Sequence, residues 1–92
     1  MTKTVIISKT GGPEVLELKD FKIKSPGPSE VLIEHKAIGL NFIDIYHRSG
    51  LYPIDTPSGI GAEAAGVIKE VGDKIHDFKV GDRVSYAGLP LG

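Results

Sequence analysis

Gly66-Val-Ile-Lys-Glu-Val-Gly72 and Phe78-Lys-Val-Gly-Asp-Arg-Val84 are two short runs with branched aliphatic residues, the first ending at and the second interrupted by a glycine next to an aspartate. Branched side chains suit a pleated, half-buried backbone, and the pairs Gly72-Asp73 and Gly81-Asp82 are turn signals. Strands are therefore predicted over 64–71 and 83–86. Working back from them, Val31-Leu-Ile-Glu-His-Lys-Ala-Ile38 reads as another strand, with Val31, Ile33, His35 and Ala37 on one face. Pro26-Gly27-Pro28-Ser29 introduces it as a breaker. Val15–Leu18 alternates, with Leu16 and Leu18 on one face and Glu17 and Lys19 on the other, as in a half-buried strand. A first strand over 4–8 is closed by Gly11-Gly12-Pro13. Short strands punctuated this way predict a mainly β domain, a barrel or sandwich rather than alternating βαβ units. The chain shows no internal repeat and no low-complexity tract.

One segment departs from the β pattern. Asn41 is a good N-cap residue, Asp44 falls in the first turn where it favours the positive helix end, and Gly50 suits a left-handed C′ position. Phe42, Ile45, Tyr46 and Ser49 occupy neighbouring positions of the 3.6-residue period, and Asp44 and Arg48 are spaced to pair. A short helix over 42–49 is predicted, followed by a long loop from Leu51 to Ser58.

Composition narrows the function classes. Ninety-two residues make one small domain. A net charge of −1 argues against a nucleic-acid face or an anionic membrane surface, which show as an excess of Lys and Arg. The absence of cysteine removes disulfides, thiolate ligands and a thiol nucleophile. No run approaches the roughly 20 apolar residues of a membrane span. The apolar run near the N-terminus is too short for a secretory signal. A cytoplasmic location is expected.

Asn41, Tyr46 and Tyr52 are the candidate site residues, and each has two readings. Asn41 serves as a helix cap or presents its amide to a ligand. Tyr46 and Tyr52 are amphipathic packers, or two phenols lining a pocket wall. His47 is expected on the solvated helix face, His35 as a satisfied core or edge histidine, and His76 as exposed. Three histidines this scattered, without cysteine, give no zinc spacing, and no metal site is expected.

Gly59-Ile-Gly61 and Gly61-Ala-Glu-Ala-Ala-Gly66 do not complete a phosphate-cradling G-x-G-x-x-G, because the last glycine would fall at position 64, which is Ala64. Small residues here predict close backbone approach instead. Glu63, set among Ala and Gly, is expected to anchor a lysine, an arginine or a backbone donor.

The run from Gly66 to Val84 resembles the G-x-V-x-x-V-G…F-x-x-G-D-R-V pattern of the medium-chain dehydrogenase/reductase superfamily. Asn41-Phe-Ile-Asp and Arg48-Ser-Gly-Leu-Tyr52-Pro narrow the resemblance to the zinc-free, zeta-crystallin-type NADPH:quinone oxidoreductases. It extends over essentially the whole chain. It implies a partly open GroES-like β-barrel with one short helix, residues 1–92 forming the N-terminal part of the substrate-side domain, truncated before a nucleotide-binding Rossmann domain. Asn41 stands where zinc relatives carry a ligand Cys, and Gly61-Ala62-Glu63 where they carry Gly-His-Glu, so the resemblance implies no catalytic zinc. It implies NADP(H) as cofactor, a quinone as substrate, and homodimeric full-length relatives. Asn41 and Tyr46 would act at the reacting nicotinamide, and Asn41, Tyr46 and Tyr52 would contact the cofactor. Arg48 is the weaker candidate, since pairing with Asp44 accounts for it. The isolated chain is expected to be inactive. Two other readings stay open: a free-standing GroES-like binding or assembly module, and part of a metal-free enoyl reductase.

Overall fold

The computed structural model describes residues 2–88 and 90–92, and the chain divides into two compact units. Each unit is built around its own three-stranded antiparallel sheet, with no closed barrel among the described residues.

The first unit comprises Met1–Ile23, Gly39–Ala62 and Gly88–Gly92. It holds strands β1 (Thr2–Ile7), β2 (Leu16–Phe21) and β4 (Ser58–Gly59) in the order β2-β1-β4, together with helix α1 (Phe42–Ser49). β1 and β2 run in register from Thr2↔Phe21 to Ile7↔Leu16. Between them Pro13–Val15 makes one 3-10 turn, where Pro13 sits at the helix start and its missing N–H costs nothing. Ile7 and Val15 are buried, Ile7 completely.

Four expectations change in this unit. The first strand runs from Thr2 to Ile7 rather than over 4–8. The second strand begins at Leu16 rather than Val15, because Val15 belongs to the 3-10 turn. The loop after α1 contains β4, whose Ser58 and Gly59 pair with Ile7 and Ile6. The alternation in β2 is real but does not mark a core face, since Leu16 is exposed and Leu18 is 69% exposed.

The second unit comprises Lys24–Ile38 and Glu63–Ala87. Its strands β3 (Val31–Ile38), β5 (Glu63–Val71) and β6 (Arg83–Ala87) lie in the order β3-β5-β6. β5 is central, and Ala64, Gly66 and Ile68 are buried at every second position. Ile68 is 1% exposed, and burying such a side chain stabilises by about 1.5–3 kcal/mol. Gly66 is required by contact: a Cβ there would lie 2.2 Å from the Glu34 carbonyl oxygen and 2.8 Å from the Ile33 side chain. The expectation that small residues in this stretch permit close backbone approach is met at Gly66.

The register of β3 on β5 breaks twice, between Leu32 and Ile33 and between His35 and Ala37. Lys69 is the residue passed over in β5 and Lys36 the one passed over in β3. An extra residue turns the rest of its strand to the opposite face. Ile33, His35 and Ile38 therefore lie opposite the buried line Ile68, Gly66 and Ala64, while Ala37 lies opposite Ala65. The expected face Val31, Ile33, His35, Ala37 is corrected accordingly. Among the described residues no helix is long and apolar enough to cross a membrane.

Candidate functional site

Helix α1 carries Tyr46 and is capped by Asn41, and its start is polar. The Asn41 N–H donates to the Asp44 carboxylate (3.0 Å), and the Asp44 N–H donates to the Asn41 carbonyl (3.0 Å). Asn41 and Asp44 thus form a capping box, the Asn41 side chain lying at the third helical N–H while that N–H bonds the carbonyl. Asp44 is 5% exposed, the one buried residue of the helix. The apolar positions go the other way, with Phe42 76% exposed and Ile45 exposed.

The expected Asp44–Arg48 pair is not formed. Asp44 turns back to the cap, and Arg48 Nε donates instead to the Gly11 carbonyl (3.2 Å), while the Gly11 N–H donates to the Arg48 carbonyl (2.8 Å). This reciprocal clasp fastens the last turn of α1 to the loop before the 3-10 turn. Gly50 then reverses the chain at φ +88°, a left-handed conformation suited to glycine.

That reversal brings Tyr52 back onto the helix. The Tyr52 N–H donates to the Tyr46 carbonyl (3.2 Å), and the two rings meet edge to face with centroids 5.2 Å apart. His47 also meets Tyr52 edge to face, with ring centroids 6.4 Å apart. His47 is half-buried rather than solvated as expected, and its Nδ1 is buried without a partner among the described residues. The structure therefore brings Tyr46, Tyr52 and His47 together. Asn41, exposed at the cap, stands five positions before Tyr46, about 140° around the helix axis.

The remaining candidates lie in the second unit. His35 is exposed and joined to Tyr86, whose hydroxyl lies 3.1 Å from Nε2, which satisfies it at a sheet edge as expected. It is the one tyrosine hydroxyl that is hydrogen-bonded among the described residues, leaving those of Tyr46 and Tyr52 open to an outside partner. His76 is exposed. Glu63 is exposed and forms no ion pair among the described residues; its expected anchor rested on a burial that does not occur. The charged cluster that does form was not legible in the sequence: Glu34 contacts Lys36 and, at 3.3 Å, Lys69, the two residues at the register breaks. Hydrogen bonds from Lys36 and then Lys69 hold the Glu34 carboxyl below its ordinary range. Among the described residues no group of His, Asp and Glu gathers as a metal site would.

An open groove in the first unit is lined by Pro53, Ile54, Asp55, Ser58, Pro90 and Leu91. It begins one residue beyond Tyr52. Its wall is mixed, two prolines and two branched aliphatics beside one carboxylate and one hydroxyl.

Residues 27–90 match the alcohol dehydrogenase GroES-like domain. The chain is 55% identical over 93 aligned residues to a quinone oxidoreductase of Pseudomonas aeruginosa, the whole chain matching 29% of that protein. It superposes on the crystal structure of Escherichia coli quinone oxidoreductase complexed with NADPH with a TM-score of 0.93 and 48% identity, covering 98% of this chain and 28% of that one. A 2-haloacrylate reductase from a Burkholderia species is 43% identical over 96 aligned residues, again across the whole chain and 29% of the relative. The chain thus spans under a third of the length of these relatives. With strands β3 to β6, helix α1 and most of its residues inside the matched span, the chain belongs to the alcohol dehydrogenase GroES-like domain family.

Proposed function

We propose that this chain forms the acceptor-side part of an NADPH-dependent quinone oxidoreductase, with Asn41, Tyr46 and Tyr52 facing the nicotinamide and the quinone. The observation that carries the reading is the likeness, at a TM-score of 0.93, to an enzyme whose structure holds NADPH. In the complete enzyme NADPH would supply a hydride, which with one proton from solvent turns quinone into hydroquinone and leaves NADP+.

The residues suit that part of the task. A quinone or a nicotinamide is a flat ring edged by carbonyl oxygen, and it needs donors beside an apolar surface. Tyr46 and Tyr52 offer ring edges and two hydroxyls not engaged among the described residues, and Asn41 offers an exposed amide. Donors aimed at an oxygen that gains charge are worth more than donors to a neutral group, about 1.5–3 kcal/mol against 0.5–1.5. Asn41 and the tyrosines would orient the ring and meet that oxygen. No acid–base triad is required, because the cofactor carries the electron transfer.

The start of α1 does not suit the phosphates. The Asp44 carboxylate already lies at the Asn41 N–H, so a second anion there would meet like charge. Phosphates would bind elsewhere in the complete enzyme, and this chain alone would not turn over.

A second reading rests on the 2-haloacrylate reductase relative. Its acceptor also carries a C=C conjugated to an oxygen-bearing carbon, and the same donors would serve it. Steady-state NADPH oxidation by the full-length protein separates the two. Turnover with 1,4-benzoquinone and little with 2-chloroacrylate is expected; the opposite order would replace the quinone assignment, and no turnover with either would remove the redox reading in favour of a binding module.

A further inference from the structure

Two polar atoms of α1 are buried and lack a hydrogen-bond partner among the described residues: Asp44 Oδ1 and His47 Nδ1. Buried polar atoms are nearly always paired, with protein or with ordered water. Residues three apart on a helix are neighbours, with Cβ atoms about 5–6 Å apart. The chemistry is complementary as well. A carboxylate oxygen only accepts, and Nδ1 donates when the neutral ring carries its proton there. Asp44 cannot swing away, because its Oδ2 is held by the Asn41 N–H at 3.0 Å. His47 in turn presents its ring to Tyr52 at 6.4 Å, and Tyr52 presents its own to Tyr46 at 5.2 Å.

We propose that Asp44 Oδ1 and His47 Nδ1–H are joined through one buried water, and that the ring so fixed makes His47 a positioning residue for Tyr52. The path runs from the helix cap to the candidate ligand wall: Asn41 N–H, Asp44, water, His47, Tyr52. Two edge contacts and one backbone hydrogen bond then set the direction of the Tyr52 hydroxyl, on a side chain that is otherwise half exposed. The link between Asp44 and His47 stands on the two unpartnered buried atoms and the helix spacing, independent of any function. Its consequence for binding rests on the function proposed above.

The two parts are tested separately. In the 15N-labelled chain at about pH 8, where an ordinary imidazole is neutral, long-range 1H–15N correlations report the tautomer of each histidine. His47 is expected with its proton on Nδ1, and exposed His76 with its proton on Nε2, the form free imidazole side chains prefer in water. A His47 proton on Nε2 overturns the link. In the full-length protein, His47→Ala should raise KM for quinone about fivefold with kcat changed less than about twofold, since a misplaced Tyr52 weakens binding rather than the chemical step. In a Tyr52→Ala background the same substitution should have no further effect, because the two act as one unit. Independent losses that add would overturn the positioning role. A full-length protein that reduces no quinone fails the functional proposal, while the tautomer still decides the link.

Discussion

Strand β5 and helix α1 belong to different units, and they are held by different forces. β5 buries Ala64, Gly66 and Ile68 at every second position, so it is fixed by size and by apolar contact. α1 buries a carboxylate and leaves Phe42 in solvent, so it is fixed by polar ties to its own cap and to the Gly11 loop. The strand leaves no room for an added atom at Gly66, while the helix start depends on the carboxylate of Asp44. An element held by a few directional bonds leaves its apolar and phenolic side chains to meet something else.

The sharpest break of this comparison is Gly66→Ala. The added Cβ would meet backbone rather than a flexible side-chain tip, so β3 and β5 must part. A loss of about 3 kcal/mol is expected, at the upper end for overpacking, read as a lowered denaturation midpoint. Midpoints within experimental error of wild type would show that β5 is not packed as described.

Asp44→Ala comes next, at about 1–2 kcal/mol for loss of the cap contact. Circular dichroism and urea denaturation would check it, and Phe42→Ala beside it should cost little. An Asp44 variant as stable as Phe42→Ala would remove the polar account of the helix. Because Asp44 is buried, it is not a neutral reference for activity measurements; exposed Glu70 is.

The smallest effect belongs to Glu34. Its carboxyl is held below the ordinary range by Lys36 and Lys69, so its contribution is complete above the unfolded value and lost as pH falls through the folded one. Glu34→Gln should therefore narrow the stability difference between neutral and acidic pH slightly, without moving the neutral midpoint by more than an exposed pair allows. A wider acid limb in the variant would reverse the sign and refute the assignment.

Much of the fold was legible because its signals are local. Branched residues set off by Gly–Asp turns marked β5 and β6, and the Asn41 and Gly50 caps bounded the helix at 42–49. What was not legible depends on distant partners. β4 is two residues long and exists because Ile6 and Ile7 lie beside it. The Arg48–Gly11 clasp joins residues 37 apart. Nothing local announces that Lys36 and Lys69 are passed over in the ladder, or that Asp44 rather than Phe42 turns inward. At the site, the sequence supplied Asn41, Tyr46 and Tyr52 as separate candidates. The Gly50 reversal brought the two tyrosines together and added His47, for which a lone histidine on a helix carried no signal.

The central proposal is that Tyr46 on α1 and Tyr52, folded back against it, face ligand, and Tyr46→Phe tests it most directly. The substitution keeps the ring against Tyr52 and removes only the hydroxyl, so stability should match wild type. Steady-state kinetics of the full-length protein should be measured beside Glu70→Gln as the reference. The account predicts a fall in kcat/KM for quinone of about tenfold, the loss of a hydrogen bond to an oxygen gaining charge, at an unchanged Tm. Wild-type kcat/KM for both NADPH and quinone in Tyr46→Phe would contradict it and leave the pair as packing alone.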